Sequence, residues 1–308
     1  MAHGIHHVTA IAGDARRNLD FYTRILGLRL VKKTVNFDDP GTYHLYFGDE
    51  TGQPGTILTF FPWEHVAPGR RGVGFTHETA FRVPESALGT WTQRFVEKGV
   101  PHETLERRFG QSVLPFKDPD GMSLALVGVP DAAGEPAWAS DGIEADAAIR
   151  GFHGVTLLLE KAGPTAAILT DVLGFKAAGQ DGGVHRFSGD ATIGGHVDIR
   201  EAGGFLPGRS GGGSVHHVAF RASDDAAQAE MVRKLRDEHG IRATEQLDRN
   251  YFRSVYFREP GGILFEIATD DPGFTADETA ASLGETLKLP PFLESRRQEI
   301  EDRLPALA

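Results

Sequence analysis

The sequence predicts an α+β fold made of four βαβββ modules that form two half-barrel pairs. The first observation is that a strand, a helix and three further strands open the chain, and that this order recurs with a period of roughly seventy residues. The second is that the strand motif HHV occurs in both the first and the last repeat. The third is that 308 residues, 40% of them hydrophobic, suffice for one large or two medium domains with a buried core.

The first module begins with an alternating strand at residues 4–11, followed by a helix that Asp14 opens and Gly27 closes. Turn-forming residues at 38–41 and 52–55 then separate three predicted strands. The three strand segments are LRLVKKTVNF, TYHLYFGD and TILTFFPW. The module is therefore predicted to be βαβββ.

The same order of elements returns three times along the chain. The first strands of modules 2, 3 and 4 are predicted in FTHETAFRV (75–83), RGFHGVTLLLE (150–160) and VHHVAFRA (215–222). Each of these strands precedes an amphipathic helical pattern and then closing strands. The repeat therefore extends from the N-terminus to about residue 270.

The predicted domain organisation follows from these repeats. Residues 1–130 are expected to form an N-terminal domain of modules 1 and 2, and residues 151–270 a C-terminal domain of modules 3 and 4. Residues 131–150 are rich in Ala, Gly, Pro and acidic residues, which is typical of a linker. Residues 271–308 are predicted to be a tail that packs on the outside of the domain or on a neighbouring subunit.

Composition excludes several classes of function. A net charge of -11 argues against binding to nucleic acid or to an anionic membrane surface, because either requires a cationic patch. The absence of cysteine excludes disulfides, thiolate metal sites and cysteine nucleophiles, so a metal site would need nitrogen and oxygen ligands. The N-terminal residues lack an export signal and no run of eighteen apolar residues occurs, which predicts a cytoplasmic protein.

Three residues stand out as candidate metal ligands. His217 lies in the apolar strand segment VHHVAF and Glu266 in ILFEIA, where a plain core would contain aliphatic residues. His7 occupies the same place in GIHHVTAI as His217 does in its own strand. An unpaired buried carboxylate is costly, so a metal is the economical explanation for this pattern. Two histidines and one carboxylate would leave coordination positions open.

Alignment of the four modules predicts one such site per chain. The residues equivalent to His7 and His217 are Glu78 in module 2 and Gly154 in module 3, and all four are preceded by a histidine. The expected counterparts of Glu266 are Thr59 in module 1 and Ala125 in module 2, so we expect a carboxylate only in module 4. The site then requires modules 1 and 4 to pack together, because Gly154 of module 3 cannot supply the third ligand.

A predicted hairpin places further residues near Glu266. If Phe257 pairs with Ile263, Ser254 lies opposite Glu266, and Tyr256 lines the same face. Arg249, just before this hairpin, is predicted either to face an anionic oxygen in the site or to form a surface salt bridge.

Strand alternation gives expectations for the neighbouring residues. Thr9 returns to the ligand face. His6 and His216 should point away from it and either hydrogen-bond to the ligands or pack in the core. The other histidines, such as His44, are expected to have no role in the site.

The chain resembles the ring-cleaving dioxygenases of the vicinal-oxygen-chelate superfamily, which also contains glyoxalases and bleomycin-resistance proteins. The similarity is to the hydroquinone 1,2-dioxygenase branch and runs over nearly the whole chain, from GIHHVTAIAGDARRNLDFYTRILGLRLVKKTVNFDDPGTYHLYFGD through VHHVAFR and DRNYFRSVYFREPGGILFEIATDDPGF to LKLPPFLE. The better-known catechol enzymes of the superfamily carry a metal histidine in module 3, where this chain has Gly154. That difference favours the hydroquinone branch.

The resemblance implies a ligand set and a reaction. It implies Fe(II) bound by His7, His217 and Glu266, and leaves Mn(II) open as a replacement. It also implies that the surrounding positions are filled by His6, Thr9, His216, Arg249 and Tyr256. Tyr256 and Arg249 would hydrogen-bond to the substrate or to oxygen, and His216 would carry a proton.

The expected function is therefore Fe(II)-dependent cleavage of a hydroquinone-type or catechol-type aromatic diol by O2, giving a ring-opened semialdehyde. One alternative is a glyoxalase-like isomerase or transferase, which generally needs a fourth ligand that Thr59 supplies poorly. The other is a non-catalytic protein that binds a small aromatic molecule. Expected partners are the diol and O2, with neither nucleic acid nor membrane, and a homo-oligomer is left open.

Overall fold

The computed structural model describes residues 3–307 and contains the four predicted modules. Module 1 comprises β1 (Ile5–Ala12), α1 (Ala15–Asp20), β2 (Arg29–Asn36), β3 (Asp39–Gly48) and β4 (Ile57–Pro62). Module 2 comprises β5 (Phe75–Pro84), α2 (Leu88–Lys98), β6 (Glu106–Arg108), β7 (Gln111–Lys117) and β8 (Ser123–Val129). Module 3 comprises β9 (Phe152–Leu159), α3 (Gly163–Ala167), β10 (Lys176–Asp181), β11 (Val184–Ser188) and β12 (His196–Glu201). Module 4 comprises β13 (Ser214–Ala222), α4 (Asp225–His239), β14 (Leu247–Asp248), β15 (Arg253–Arg258) and β16 (Leu264–Thr269), and α5 (Arg297–Arg303) follows in the tail.

The modules combine in pairs to make two eight-stranded sheets. Modules 4 and 1 form one sheet in the order β14-β15-β16-β13-β1-β4-β3-β2, and modules 3 and 2 form the other in the order β10-β11-β12-β9-β5-β8-β7-β6. In each sheet the first strands of the two modules run antiparallel side by side, as β1 and β13 do. The predicted packing of module 1 against module 4 is confirmed. We call these two curved surfaces the 1/4 sheet and the 2/3 sheet.

The main core lies between the sheets and the helices that cover them. α2 illustrates why these helices form where they do. Its apolar residues Leu88, Trp91 and Phe95 are spaced three and four positions apart, which places them on one buried face. The helix ends at Gly99, in the left-handed conformation that glycine adopts without strain. α4 begins at Asp224, whose side chain accepts a hydrogen bond from the Ala227 amide, and buries Met231 and Leu235.

The segment predicted as a linker is packed against the rest of the protein. Ile143, Ala148 and Ile149 are buried, and the indole of Trp91 donates a hydrogen bond to the Ala147 carbonyl. The Arg150 guanidinium donates to two carbonyls of the same segment. The division of the chain into domains at residues 131–150 stays a prediction.

The C-terminal tail packs along the outer edge of the 1/4 sheet. A small apolar cluster joins it to β2 and consists of Val35, Leu289, Leu293, Ile300 and Leu304. The fully buried Lys32 of β2 adds an ionic anchor, because its ammonium contacts the carboxylates of Asp277, at 2.6 Å, and Glu278. The tail therefore closes one end of the sheet that carries the candidate site.

This anchor gives a stability prediction. Lys32→Met should lower the free energy of unfolding by about 3–5 kcal/mol, because it leaves the buried Glu278 carboxylate without a cation. Urea denaturation of the two proteins measures the difference. The control is Lys33→Met, which removes only a hydrogen bond to the Glu285 carbonyl and should cost less than about 1.5 kcal/mol. Equal losses in the two variants would contradict the assignment of Lys32 as an ionic anchor.

No helix within residues 3–307 combines the length and the apolar character needed to cross a lipid bilayer.

Candidate metal centre

Three buried side chains converge on the concave face of the 1/4 sheet. His7 lies on β1, His217 on β13 and Glu266 on β16, and each is at least 96% buried. The Nε2 atoms of the two histidines are 3.3 Å apart. Oε2 of Glu266 lies 3.3 Å from Nε2 of His7 and 2.9 Å from Nε2 of His217. Among residues 3–307 this is the one group of three such side chains whose ligand atoms lie close enough to share a metal ion.

Strand pairing explains the convergence. β16, β13 and β1 are neighbours in the sheet, with His7 opposite Ala219 and Ala219 beside Glu266. The three side chains therefore point from adjacent strands to the same face. Residues from the two ends of the chain meet because β1 and β13 pair directly.

Two β-bulges interrupt this strand pair at the histidine motifs. His6 is the extra residue between the pairs Ile5–Phe220 and His7–Ala219, and His216 is the extra residue on β13. A bulge re-aims the side chain of the added residue, so the expectation that His216 points away from the ligand face was wrong. His6 lines a separate pocket, beside Phe252 and Phe274. His216 lines the cavity beside the three candidate ligands. The bulges in the 2/3 sheet fall at the equivalent His77 and His153.

The bulged histidines are placed to hold the two candidate ligand histidines in one tautomer. Nδ1 of His6 lies 2.9 Å from Nδ1 of His7, and Nδ1 of His216 lies 2.7 Å from Nδ1 of His217. Burial lowers the pKa of His6 well below its usual value and that of His216 to about 4, so both are neutral and can accept a hydrogen bond. The Nδ1–H groups of His7 and His217 can then donate outward, which leaves both Nε2 lone pairs free for a metal.

The charge and hydrogen bonding of Glu266 also fit a cation. Burial raises the pKa of this carboxyl group, but His7 and His217 outweigh burial and hold the pKa well below its usual value. Oε1 accepts a hydrogen bond from the Ser254 hydroxyl, whereas Oε2 is buried without a hydrogen bond of good geometry. A carboxylate oxygen and two imidazole lone pairs that face one another favour a bound divalent metal. These residues therefore fit the metal site that the sequence predicts.

A cavity of about 360 Å³ opens on His7 and His217, and the fully buried Glu266 lies behind them, against both imidazoles. Its size falls within the usual range for small-molecule sites. Its walls combine aromatic and polar side chains. The lining residues outside the triad are Asn36, Phe37, Asp38, His44, Tyr46, Phe61, Trp63, His216, Arg249, Phe252, Tyr256 and Leu264.

Tyr256 lies directly opposite Glu266, at the position where Ser254 was predicted, and Ser254 lies opposite Ala268. The predicted hairpin register was wrong by two residues, because Arg258 pairs with Leu264 across a five-residue loop. The buried Glu259 carboxylate shapes this loop by accepting hydrogen bonds from the Gly261 and Ile263 amides. A two-residue shift keeps each side chain on its face, so Tyr256 still lines the cavity.

Arg249 lines the cavity and also approaches a surface carboxylate. Its guanidinium lies 5.5 Å from the centre of the Tyr256 ring and lines the cavity. It also approaches the largely exposed Asp38 at 3.7 Å, across the cavity mouth. Burial lowers the pKa of Arg249, but Tyr256 and Asp38 outweigh burial and raise it, so the side chain keeps its charge.

His44 and Tyr46 belong to the site, although sequence reasoning missed them. Both lie on β3 and line the cavity, so His44 lies within the site, a position that the sequence pattern did not predict. The alternation in TYHLYF places the two side chains on one face, and the pairing of β3 with β4 shows which face that is. Thr9 is buried near them and hydrogen-bonds to Thr59 at 2.9 Å.

Thr59 occupies the position in module 1 that Glu266 occupies in module 4. It lies beside Thr9 on parallel strands, as Glu266 lies beside Ala219. A hydroxyl is a much weaker ligand for a divalent metal than a carboxylate. The pseudo-twofold arrangement therefore offers three strong ligands instead of four.

The 2/3 sheet has carboxylates at two of the positions that correspond to the candidate ligands. Its register makes Glu78 the equivalent of His7, and Asp198 of module 3 the equivalent of Glu266. The expectation that only module 4 offers a carboxylate at this position was therefore wrong. Arg108 contacts Glu78, and Arg186 binds Asp198 through two hydrogen bonds of 2.8 Å. These arginines neutralise both carboxylates where a metal would otherwise be needed.

Comparison with known proteins identifies the family. The model of the Glyoxalase/Bleomycin resistance protein/Dioxygenase superfamily matches residues 4–126 and 152–267. The chain belongs to this superfamily. The two matched segments correspond to modules 1–2 and modules 3–4, and the sheets described above are the half-barrel pairs of this fold.

Several members of the superfamily align with the whole chain. A candidate ring-cleaving dioxygenase of Bacillus subtilis, MhqO, is 45% identical over 98% of this chain and 95% of its own length. A chlorohydroquinone/hydroquinone 1,2-dioxygenase of Sphingobium indicum is 35% identical over 96% of this chain and 94% of its own length. A crystal structure of a candidate dioxygenase from Bacillus subtilis superimposes with a TM-score of 0.95, at 45% identity, over 100% of this chain and 98% of that chain.

Proposed function

We propose that this protein is an Fe(II)-dependent dioxygenase that cleaves the ring of a hydroquinone-type or catechol-type aromatic diol. The observation that carries the proposal is the convergence of His7, His217 and Glu266 at the base of an aromatic-walled cavity. Two histidines and one carboxylate with open positions are typical of non-haem Fe(II) oxygenases. The names of the full-length relatives point to the same reaction class. Mn(II) could be held by the same three ligands.

The proposed reaction needs no external reductant. One carbon–carbon bond of the ring breaks, both atoms of O2 enter the product, and the diol becomes a ring-opened semialdehyde that carries one carboxylate. A bound Fe(II) held by His7, His217 and Glu266 would supply electron transfer between the diol and O2. The protein positions the reactants, controls the transfer of protons and provides an environment with little water.

The cavity residues have distinct proposed tasks in this reaction. Phe61, Trp63 and Phe252 provide flat apolar walls for the ring. The Tyr256 hydroxyl, opposite Glu266, donates a hydrogen bond to an oxygen of the reactants. The Arg249 charge stabilises negative charge that develops on the oxygens. His216 accepts from His217 at Nδ1, so its proton lies on Nε2, and this N–H is the group that can donate to the reactants.

The glyoxalase-like alternative is less well supported. Metal-dependent isomerases on this fold generally use a fourth protein ligand, and Thr59 stands where that ligand would lie. The maize glyoxalase I structure superimposes with a TM-score of 0.65 at 17% identity, which reflects the shared fold alone. The retention of three strong ligands in turn disfavours a non-catalytic binding protein.

Oxygen uptake tests the proposal. Purified protein is loaded anaerobically with Fe(II) and mixed with a panel of hydroquinones and catechols in an oxygen-electrode cell. We expect one O2 consumed per diol, with loss of the aromatic absorbance, and no uptake by metal-free protein. Conversion of a thiol adduct of a 2-oxoaldehyde without O2 uptake would instead indicate an isomerase. Diol binding without turnover would indicate a binding protein.

A further inference from the structure

The pseudo-twofold symmetry of the 1/4 sheet gives Tyr256 a counterpart. Tyr256 pairs with Glu266 across β15 and β16, and Tyr46 pairs with Thr59 across β3 and β4. Because Thr59 is the equivalent of Glu266, Tyr46 is the equivalent of Tyr256. Both tyrosines line the cavity, on opposite sides of the three candidate ligands.

A chain of four hydrogen-bonding side chains leads to Tyr46. The Tyr46 hydroxyl lies 2.8 Å from Nδ1 of His44, and Nε2 of His44 lies 2.8 Å from the Thr59 hydroxyl. The Thr59 hydroxyl lies 2.9 Å from that of Thr9. The imidazole and phenol rings also contact each other at a centroid distance of 4.0 Å, tilted by 35°, which restricts the rotation of both.

Burial decides which way the protons of this chain point. Thr9 is fully buried, and within residues 3–307 its hydroxyl has no hydrogen-bond partner other than Thr59. If Tyr46 donated to His44, the protons would run toward Thr9, and the Thr9 hydroxyl would be a buried donor without an acceptor. In the opposite direction Thr9 donates to Thr59, Thr59 donates to Nε2 of His44, and Nδ1–H of His44 donates to the Tyr46 oxygen. The Tyr46 proton is then free to point into the cavity.

We propose that Tyr46 is a second substrate-binding hydroxyl, which donates its proton to an oxygen of the bound aromatic diol from the side opposite Tyr256. His44 is the positioning residue that acts through Tyr46, and Thr59 and Thr9 fix the direction of its hydrogen bonds. The inference rests on the proposed function, because that function identifies the ligand as an aromatic diol. It assigns a task to Thr9, which the sequence placed in the site without one.

The surroundings of Tyr46 keep its hydroxyl in the donor form. Burial raises the pKa of Tyr46 well above its usual value, and Tyr256 and Glu266 raise it further. Burial also lowers the pKa of His44 well below its usual value, and His7 and His217 act in the same direction. A neutral imidazole has one N–H and one acceptor nitrogen, as the chain requires.

Binding of hydroquinone to anaerobic Fe(II)-loaded protein tests the proposal without turnover. Calorimetry of Tyr46→Phe should show a Kd about tenfold higher than that of the wild type, which is the value of one hydrogen bond to an oxygen with partial negative charge. Iron content should be unchanged. The matched control is Tyr43→Phe on the same strand, because Tyr43 packs toward the tail and does not line the cavity. Its Kd should stay within about twofold of the wild type.

The role of His44 is tested by coupling it to Tyr46. His44→Leu should weaken hydroquinone binding as much as Tyr46→Phe, and the double variant should lose no more than either single variant. His44→Gln, which keeps one donor and one acceptor, should recover part of the affinity. Additive losses in the double variant would overturn the positioning role of His44.

The outcomes separate this inference from the proposed function. A Tyr46→Phe protein that binds hydroquinone as tightly as the wild type overturns the inference, whether or not the wild type consumes O2. A wild type that binds diols and loses affinity in Tyr46→Phe, yet never consumes O2, supports the inference and rejects the dioxygenase proposal. A wild type that binds no aromatic diol rejects both.

Discussion

Glu266→Gln should abolish oxygen uptake, because it removes the single anionic ligand of the candidate centre while preserving side-chain size. The carboxamide carries no charge, so the loss of metal affinity should exceed the roughly 10–100-fold that changes beyond the ligands typically cause. After dialysis against the same metal concentration, elemental analysis should find less bound metal in Glu266→Gln than in the wild type. Oxygen uptake should fall in parallel.

Thermal unfolding provides a second measurement of the same change. A metal that binds only the folded protein stabilises it by about 4 kcal/mol when its concentration is a thousand times Kd. The wild type should therefore show a metal-dependent rise in Tm that Glu266→Gln lacks. His185→Ala is the control, because His185 lies on β11 of the 2/3 sheet. A Glu266→Gln protein with full metal content and full turnover would remove this residue from the ligand set.

Tyr256→Phe should lower kcat by about 100-fold or more while leaving metal content unchanged. The physical reason is the loss of a fixed hydrogen-bond donor directly opposite Glu266, where charge develops on the oxygens of the reactants. Burial raises the pKa of Tyr256 well above its usual value, and Glu266 adds to this effect, so the hydroxyl is a donor throughout the neutral range. Initial rates of O2 uptake at saturating diol measure the change in kcat.

The control for this prediction is Tyr251→Phe. The Tyr251 hydroxyl is also deep in the protein, but it donates to Asp277 and does not line the cavity. Its removal should change stability by about 1 kcal/mol and leave kcat intact. Full turnover by an iron-loaded Tyr256→Phe protein would exclude Tyr256 from the reaction.

Both halves of the chain contribute to each of the two sheets. Each sheet contains one module from either half, so each concave face has its own pseudo-twofold axis between the first strands of its modules. The 1/4 sheet carries His7, His217 and Glu266 at the base of its cavity. The 2/3 sheet carries Glu78 and Asp198, and arginines neutralise both. Equivalent positions of the repeat therefore hold candidate metal ligands in the 1/4 sheet and arginine-paired carboxylates in the 2/3 sheet.

The sequence by itself determined the order of the modules and which modules share a sheet. A repeated strand motif and regular helix and strand periods reflect local backbone geometry, which a sequence pattern reports directly. The requirement that His7 reach His217 and Glu266 predicted that modules 1 and 4 pair, and the structure has that pairing. This pairing brings the three side chains together. Their role as metal ligands and the choice of Fe(II) stay predictions.

The tertiary structure alone decided the details around the three side chains. A bulge re-aims His216 into the cavity, and the Glu259-shaped loop sets the hairpin register of Tyr256. The bulges depend on the pairing of β1 with β13, which are distant in sequence, and the hairpin register depends on the hydrogen bonds of the Glu259 side chain within its loop. Neither leaves a regular period in the chain. His44 and Tyr46 were missed for the same reason. Their strand pattern is that of any half-buried strand, and only the pairing of β3 with β4 turns them toward the site.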